Sequence, residues 1–335
     1  MKVFLTGGTG FIGAPLTRQL VERGWPVTAL SRSGASPHPA AAGVKGDVTD
    51  KESLRAAMAA AAPDVVIHNA GWYELGIAES DRAGMTAINV RGTENVLALA
   101  AELKIPRVVY TSTTTALGDT GGALVDETFT RNTPAITHYE KTKAEAHAIA
   151  LKYQANGLPL IIVCPTQVIG PGDHSPFGWF ARLYVRGLLP PVIWAPDGAF
   201  TFDYVDDVAA GIALAAEKGR PGETYLFGGG SLTMREIPPI WKKAVGGIPP
   251  FIFLPKPLAL LQGAWVERIL RLFKVPAFIS REVVASCYVS FRYTSVKARR
   301  ELGWQTRSAE QAWIDTLQAE KAKLRRSASS PGRTR

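Results

Sequence analysis

The N-terminal segment constrains the fold of this chain more than any other feature. An apolar strand, Val3 to Thr6, runs into a turn in which Gly7, Gly10 and Gly13 are three residues apart. Glycine there permits a sharp turn, a close approach of the backbone to a pyrophosphate and close packing of the next helix. The pattern predicts a helix over about 11–23 whose free N–H groups and positive dipole end face that anion. Because a strand precedes the turn and a helix follows it, the segment indicates a dinucleotide-binding unit.

Strands and helices are predicted in alternation along the first half of the chain. The predicted strands cover about 26–30, 44–48, 64–68, 107–112 and 160–164, and the predicted helices cover about 50–62, 86–103 and 137–153. Such alternation is typical of a parallel sheet with helices on both faces. We therefore predict an α/β fold: a doubly wound parallel (Rossmann) sheet with a smaller C-terminal substrate lobe.

The domain organisation follows from the order of these patterns. We expect residues 1–165 to form the dinucleotide-binding domain, completed by about 200–230. Residues 166–199 and 231–320 are expected to form the substrate lobe, and residues 321–335 a basic disordered tail. From residue 292 onward the chain has 11 Lys or Arg and 4 Asp or Glu, within a formal net charge of +9. No nucleic-acid-binding motif accompanies this charge, so we expect a solvated tail rather than contact with nucleic acid or acidic lipid.

Cysteine content and hydropathy bear on where the protein is found in the cell and on whether it binds a metal or crosses a membrane. The two cysteines, Cys164 and Cys287, form neither a disulfide framework nor a metal-ligand spacing. They predict no metal and a reducing, cytoplasmic location. The first residues read as a core strand rather than a signal peptide, and no apolar run reaches the roughly 18 residues of a spanning helix. A small-molecule substrate is the expected partner, and a homodimer is left open.

The end of the second predicted strand bears on the choice of cofactor. Ser31 and Arg32 stand where NAD-binding folds commonly place Asp or Glu to hold the ribose 2′-hydroxyl. No acid is present, and arginine suits a 2′-phosphate. We predict NADP(H) in preference to NAD(H); a surface arginine at a strand end is the alternative.

Small residues and then two aromatic rings follow the fourth predicted strand. Asn69, Ala70 and Gly71 let the backbone lie against a cofactor. Trp72 and Tyr73 come next, at the sheet edge where α/β folds bind ligands. These two rings are expected either to pack in the core or to form a wall of the substrate site.

Eight short motifs follow one another along the chain. They are Thr6-Gly-Gly-Thr-Gly-Phe-Ile-Gly13, Asp47-Val48, His68-Asn-Ala-Gly71, Asn89-Val-Arg-Gly-Thr93, Thr111-Ser-Thr113, Tyr139-x-x-x-Lys143, the loop from Pro165 to Gly172, and Tyr204-Val-Asp-Asp-Val208. Together they resemble the extended short-chain dehydrogenase/reductase (NAD-dependent epimerase/dehydratase) family, in its dihydroflavonol 4-reductase and 3β-hydroxysteroid dehydrogenase branch. The resemblance covers roughly residues 1–320. It implies further cofactor contacts at Phe11, Ile12, Asp47, Val48, Asn89, Pro165 and Val168.

A tyrosine and a lysine carry the predicted chemistry. Tyr139 and Lys143 are four residues apart and so share one face of a predicted helix. A free tyrosine titrates near ~10, and a nearby ammonium favours its phenolate. We expect Tyr139 to be the general acid for carbonyl reduction, or the general base for alcohol oxidation. The resemblance implies that Lys143 holds the nicotinamide ribose and that Thr113 hydrogen-bonds the substrate oxygen. An ordinary exposed helix pair is the alternative.

Two apolar stretches follow the sixth predicted strand. The resemblance implies that the loop from Pro165 to Gly172 lies beside the nicotinamide. Residues 173–184, which follow it, are aromatic and almost uncharged, and this position favours substrate contact over plain packing. Residues 251–278 are apolar but broken by prolines. We expect them to form buried lobe core; a lid and a membrane-surface helix are the alternatives. The expected substrate contacts are Trp72, Tyr73, Thr113, His174, Phe177 and Trp179.

These observations predict an NADP(H)-dependent oxidoreductase that transfers a hydride between nicotinamide and the carbonyl or alcohol of a fairly apolar small molecule. A nucleotide-sugar epimerase is the alternative within the resembled family. The nucleotide-sugar enzymes of that family usually carry a diphosphate-binding arginine just before Tyr-Val-Asp-Asp. This chain has Phe200 at the corresponding position. An NADPH-binding regulatory or structural subunit is the non-enzyme alternative, although that kind usually lacks the Tyr/Lys pair.

Overall fold

The computed structural model describes residues 1–275 and 277–329. Its strands are β1 (Val3–Thr6), β2 (Val27–Ser31), β3 (Ala42–Lys45), β4 (Val65–His68), β5 (Val108–Thr111), β6 (Leu160–Cys164), β7 (Gln167–Ile169), β8 (Val192–Ile193), β9 (Ala199–Tyr204), β10 (Thr224–Leu226), β11 (Ser231–Thr233) and β12 (Ile252–Phe253). Its α-helices are α1 (Gly13–Glu22), α2 (Lys51–Ala61), α3 (Arg82–Thr86), α4 (Gly92–Glu102), α5 (His138–Ala155), α6 (Pro176–Val185), α7 (Val205–Lys218), α8 (Ile237–Val245), α9 (Lys256–Leu272), α10 (Arg281–Ser286), α11 (Val296–Leu302) and α12 (Ala309–Ser329). Short 3₁₀ turns lie at Glu79–Asp81 and Thr114–Ala116.

The main sheet confirms the predicted doubly wound fold. Its order is β10-β6-β5-β4-β1-β2-β3, and every neighbouring pair is parallel. The chain leaves β1 toward β2 on one side and reaches β4 on the other. This reversal of strand order opens a crevice at the carboxyl ends of β1 and β4, which is where open α/β sheets bind ligands.

The alternation of side chains along β1 explains why the sheet is covered on both faces. Phe4 packs in a cluster with Leu54, Met58 and residues of α4, whereas Val3 and Leu5 pack in a second cluster with residues of α1 and α7. Successive side chains of a strand point to opposite faces, so a strand that is apolar throughout must be buried on both. The Asp50 side chain caps α2, because it accepts hydrogen bonds from the backbone N–H groups of Glu52 and Ser53.

One helix starts earlier than predicted and contains an irregular turn. The helix predicted over 86–103 is built from α3, a π-helical turn at Ala87–Arg91 and α4. The π turn places Asn89 inside the protein, where it is 1% exposed. Single π turns inside helices frequently mark functional positions.

The smaller sheets lie outside the main one. One of them contains β7, β9 and β11, in which β9 is parallel to β7 and antiparallel to β11. The other is the parallel pair of β8 and β12. β10 and α7 belong with the main sheet, since β10 pairs with β6 and α7 packs on α1. The division into a dinucleotide-binding domain and a substrate lobe remains a prediction.

The C-terminal end differs from the expectation. Helix α12 runs to Ser329, so the prediction of a disordered tail from residue 321 is wrong for residues 321–329. The helix packs against α8 and α6, and Lys321 Nζ donates to the carbonyl oxygen of Val245 at 2.8 Å. These contacts supply the tertiary packing that the charged sequence alone did not reveal. Residues 330–335 of the predicted tail lie outside the described residues.

The prediction that residues 251–278 are buried core is also wrong. In α9 only Ala259 and Gly263 are buried, whereas Trp265 is 58% and Leu272 is 78% exposed. Among the described residues no helix is long and apolar enough to cross a membrane.

Candidate active site

A cavity of about 830 Å³ opens at the carboxyl ends of the central strands. Its walls come from the glycine turn after β1, the ends of β2, β4 and β5, helix α5, the loop between β6 and β7, and the segment that leads into α6. The end of β3, Ile88 and the segment after α9 contribute further residues, so the cavity brings together ten separate parts of the sequence. Its volume is within the range of cofactor and small-molecule sites.

The glycine turn has the geometry that the sequence predicts. Gly7 has a φ of +73°, and a Cβ there would lie 2.6 Å from the backbone nitrogen of Ala70. Gly10 N–H donates to the Gly7 carbonyl oxygen at 3.1 Å, which closes the turn. A Cβ on Gly13 would overlap that same carbonyl oxygen. Gly13 thus lets α1 begin directly against the turn. It does not line the cavity.

The ends of β2 and β3 form one wall of the cavity. Ser31, Arg32, Asp47 and Val48 all line it. Arg32 is exposed, and Ser31 Oγ donates to the carbonyl oxygen of Ala35 at 3.0 Å. The wall therefore offers a guanidinium and a hydroxyl where an adenosine ribose lies in this class of fold.

The loop after β4 lies against the glycine turn. Asn69, Ala70 and Gly71 line the cavity, and Ala70 N–H donates to Thr6 Oγ1 at 3.2 Å. Asn89, in contrast, does not line the cavity. Its side chain accepts from Trp72 N–H at 2.7 Å and donates to the Trp72 carbonyl at 2.9 Å. Asn89 thus fixes the loop from behind rather than forming the wall.

Tyr139, Lys143 and Thr113 line the same cavity. Both residues of the pair lie on α5, whose N-terminus is capped by the Thr137 side chain. Lys143 Nζ donates to the Thr111 carbonyl oxygen at 3.2 Å and to the Tyr110 hydroxyl at 3.3 Å. Lys143 is only 6% exposed, so the alternative of an exposed helix pair does not hold.

Burial controls the proton affinities of this pair. Burial raises the pKa of Tyr139 above its ordinary value of 10.0, while the Lys143 charge and a hydrogen bond with Thr113 act in the opposite direction. Burial also lowers the pKa of Lys143, against the opposing effect of Tyr139. The Lys143 charge lowers the pKa of Tyr139, as expected for an ammonium that favours the phenolate. In the protein without cofactor, burial raises this pKa by more than the charge lowers it.

Two buried histidines near the pair are structural. His68 lies 2.7 Å from Thr6 Oγ1 and 3.1 Å from Thr93 Oγ1, and burial lowers its pKa to about 3. His147 lies 2.9 Å from Ser112 Oγ, and burial lowers its pKa to about 4. Both rings are therefore neutral at physiological pH and do not line the cavity.

The opposite wall is largely aromatic. Four of the expected substrate contacts, Trp72, Tyr73, His174 and Trp179, line the cavity. Their contact with substrate stays a prediction. Phe177 does not line the cavity: its ring packs at 5.2–5.9 Å from those of Phe200, Phe202 and Trp313 in the core. Helix α6 turns this side chain away from the cavity, so its predicted substrate contact is not supported.

The cavity-lining residues that sequence reasoning did not name include Asp173, Ala277 and Phe278. Asp173 accepts two hydrogen bonds from Ser175, which caps α6, and a D-x-S spacing before a helix is a usable signal for this arrangement. Phe278 stacks on Trp179 with ring centroids 4.7 Å apart. No local signal predicts that contact, because the two rings are far apart in sequence.

Four further residues that were predicted to contact the cofactor also line the cavity. They are Phe11, Ile12, Pro165 and Val168. Among the described residues no group of three or more His, Cys, Asp or Glu is arranged to hold a metal ion. Both cysteines of the chain are buried and free.

The fold and the cavity define a dinucleotide-binding α/β protein of the extended short-chain dehydrogenase/reductase class. A family model described as "NAD dependent epimerase/dehydratase family" matches residues 3–228. The chain belongs to that family and is an NAD(P)-dependent enzyme of it. Relatives named after dihydroflavonol 4-reductase and 3β-hydroxysteroid dehydrogenase are among its matches. These enzyme relatives give no support to the regulatory-subunit alternative.

Individual relatives cover nearly the whole chain. The 4-hydroxy-2-methyl-3-oxo-4-farnesyl-3,4-dihydroquinoline-1-oxide ketoreductase of Stigmatella aurantiaca is 31% identical over 95% of this chain and 96% of its own. The 3-beta-hydroxysteroid dehydrogenase of Mycolicibacterium neoaurum is 28% identical over 94% and 90%. The solved structure of UDP-glucose 4-epimerase from Thermotoga maritima with UDP-glucose has a TM-score of 0.77, with 20% identity over 97% of this chain and 100% of that one. That last likeness bears on the fold alone.

Proposed function

We propose that the protein is an NADP(H)-dependent oxidoreductase that transfers a hydride between nicotinamide and the carbonyl or alcohol of a fairly apolar small molecule. One observation carries this proposal. The glycine turn, the Tyr139–Lys143 pair and a wall of aromatic rings all line one cavity. A hydride donor, a proton donor and an apolar substrate can therefore meet in one place.

The lining of the cavity fits a nicotinamide dinucleotide. The close approach of Gly7 to Ala70 leaves no room for a side chain, as a backbone cradle for a pyrophosphate requires. Such a cofactor supplies the hydride when bound. We assign its contacts to Gly7, Gly10, Phe11, Ile12, Ser31, Arg32, Asp47, Val48, Asn69, Ala70, Gly71, Tyr139, Lys143, Pro165 and Val168. Gly13 and Asn89 support this set from behind the wall.

Tyr139 is assigned the proton transfer. Tyr139 lines the cavity on the same helix as Lys143, so its phenol can donate a proton during carbonyl reduction. Burial raises the pKa of Tyr139, and the Lys143 charge opposes that shift, which favours proton release. Thr113 is assigned the hydrogen bond to the substrate oxygen, which orients the carbonyl and stabilises charge that develops on it. Lys143 is assigned the hydrogen bonds to the nicotinamide ribose, and its positive charge is assigned the stabilisation of the Tyr139 phenolate.

The preference for NADP(H) rests on the end of β2. Arg32 is exposed at the cavity wall and Ser31 is beside it, with no acid at this strand end. A guanidinium offers paired donors that match a 2′-phosphate. An acidic side chain, which would favour a free 2′-hydroxyl, is missing from the position where it usually stands.

An apolar substrate is favoured over a nucleotide sugar. Phe200, at the position expected for a diphosphate-binding arginine, is 4% exposed and packs against Phe177 in the core. Arg182 donates to the Asp173 carbonyl oxygen and covers the Trp179 ring at 4.8 Å, so it is already engaged. The Stigmatella aurantiaca relative is named for reduction of a farnesyl-bearing ketone, which agrees with an aromatic cavity wall.

The substrate class is tested by a thermal-shift screen of the NADPH-loaded protein. The ligands are UDP, UDP-sugars and a panel of aryl and steroid ketones, and NADPH oxidation is followed for each ketone that stabilises the protein. We expect stabilisation and turnover with ketones. Strong stabilisation by UDP and none by any ketone would overturn the proposal in favour of a nucleotide-sugar epimerase.

A further inference from the structure

The apolar side chains exposed on this protein are concentrated in one short stretch. Of the 16 large apolar side chains exposed in the described residues, nine lie within residues 248–273. Six of them form a stripe that we term the α9 face: Leu258, Leu261, Trp265, Ile269, Leu272 and Phe273. Their spacing of three and four residues places them along one side of the helix and its last turn. Exposed apolar patches of this kind mark interaction sites.

The opposite side of α9 is firmly attached to the protein. A Cβ on Gly263 would lie 2.8 Å from the Val284 side chain, so α9 and α10 are in close contact. Trp194 Nε1 donates to Gln262 Oε1 at 2.8 Å, and Arg271 donates to the Gly76 carbonyl oxygen at 2.7 Å. The α9 face is therefore presented outward by a fixed scaffold, and the exposure is not the result of a loose helix.

The helix that carries the α9 face has an excess of positive charge. Residues 256–274 contain four Lys or Arg and one Asp or Glu. The single acid, Glu267, is held by Arg271 at 2.7 Å. Lys256, Arg268 and Lys274 are exposed. A second copy of this chain on the face would bring like charges together, whereas an anionic surface would complement them.

A phospholipid surface matches both properties of the α9 face. Apolar and aromatic side chains bury into the boundary between headgroups and acyl chains, and flanking lysines and arginines attract anionic headgroups. We propose that the α9 face docks on the surface of a bilayer that contains anionic phospholipid. The helix lies in the plane of that surface, because its other side packs on the protein.

The α9 face is close in the chain to the cavity. The segment after α9 carries Ala277 and Phe278, which line the cavity, and Phe278 stacks on Trp179. A docked protein would thus have this part of the cavity wall near the membrane. On the proposed function, an apolar ketone dissolved in the bilayer would have a short path to Tyr139.

Vesicle flotation tests the docking. The full-length protein is mixed with vesicles of phosphatidylcholine plus phosphatidylglycerol, or of phosphatidylcholine alone, and floated through a density gradient. We expect the partition coefficient to be at least about tenfold higher for the anionic vesicles. The double variant Leu261→Glu, Trp265→Glu should lose at least about tenfold of that binding. The matched control is Leu124→Glu, Leu151→Glu, which changes two leucines exposed elsewhere and should float like the wild type.

A second variant keeps the test decisive if the apolar variant fails to fold, as judged by circular dichroism. Arg268→Gln, Lys274→Gln leaves every apolar contact in place and should lower binding to anionic vesicles several-fold. Absence of wild-type flotation at low salt, or equal flotation of wild type and charge variant, would overturn the proposal. So would light scattering that shows a dimer dissociated by the Leu261/Trp265 variant without any vesicle binding. Turnover of a water-dispersed ketone without vesicles is measured separately, so failure of the proposed function is distinguishable from failure of docking.

Discussion

The ring of Tyr73 meets the ring of Tyr139 edge-on, with centroids 4.8 Å apart and planes at 83°. Tyr73 comes from the loop after β4, and that loop is held by the two hydrogen bonds between Asn89 and the Trp72 backbone. Burial raises the pKa of Tyr73 well above 10.0, and the charges of Asp173 and Tyr139 add to the shift. Tyr73 therefore stays protonated, and from the edge contact we propose that its ring positions Tyr139.

Removing the Tyr73 ring should weaken catalysis through Tyr139. We expect Tyr73→Ala to lower kcat by roughly tenfold, because Tyr139 loses the contact that orients it, with little change in the Kd for NADPH. Tyr73→Phe keeps the edge contact and should retain most of kcat. Steady-state kinetics and NADPH fluorescence titration measure the two quantities. An equal loss in Tyr73→Phe would show that the hydroxyl, and not the ring, is what matters.

Removing the Tyr139 hydroxyl tests the proton transfer directly. Tyr139→Phe should leave the fold and cofactor binding intact and reduce turnover by roughly 10²-fold or more, which is the scale of a lost general acid. Tyr153→Phe, on the same helix but outside the cavity, is the matched control and should be close to wild type. If Tyr139→Phe retained near-normal turnover, the proton would have to come from another group.

The sequence predicted the fold, and it placed the glycine turn and the Tyr139–Lys143 pair in one cavity, because the determinants of these features are local. Gly7 and Gly13 are required by backbone geometry within one turn, and the apolar pattern of β1 reports burial on both faces. Tyr139 and Lys143 share a helix face by their spacing alone. Such features depend on a few neighbouring residues, so a single sequence is enough to find them.

The sequence did not predict features that depend on packing between distant parts of the chain. Phe177 and Trp179 are two residues apart on α6, yet one packs in the core and the other lines the cavity. Trp179 stacks on Phe278 and Phe177 packs on Trp313, and both partners lie far along the chain. The exposure of α9 was missed for the same reason: its apolar residues predict burial, and composition does not show that only one side is covered.

Reversing the charge at the end of β2 should change the cofactor preference. In Arg32→Asp the carboxylate would repel a 2′-phosphate and could accept a hydrogen bond from a 2′-hydroxyl. We expect the Kd for NADPH to rise by about tenfold or more, while the Kd for NADH changes little or falls. Arg23→Asp, at the far end of α1, is the control. Equal binding of NADH and NADPH by the wild type would refute the assignment of Arg32.

Asp203 should make stability depend on pH in a predictable direction. This carboxyl is fully buried in β9, and its Oδ2 accepts from Thr166 N–H and Oγ1 at 3.0 and 2.8 Å. Within the described residues its Oδ1 has no partner. Burial raises the pKa of Asp203 from 3.8 to about 6. Thr166 lines the cavity, so Asp203 anchors part of the proposed nicotinamide wall.

The sign of the effect follows from proton linkage. Below pH 3.8 Asp203 is protonated in both the folded and the unfolded chain, and it carries no ionisation penalty. Between that value and about pH 6 the unfolded chain releases the proton first, so the free energy of unfolding falls as the pH rises. Above the folded pKa the loss is constant, at roughly 3 kcal/mol for a shift of this size.

Asp203→Asn removes this titration and still offers an acceptor to Thr166. Urea unfolding of both proteins from about pH 4 to pH 8 should show the variant gaining stability relative to wild type up to about pH 6, with a constant difference above it. Comparing the two proteins at each pH cancels the contribution of His68 and His147. Asp197→Asn changes a carboxylate that is 91% exposed and should show no such trend. A difference between wild type and Asp203→Asn that does not vary with pH would show that this carboxyl keeps its ordinary proton affinity in the folded protein.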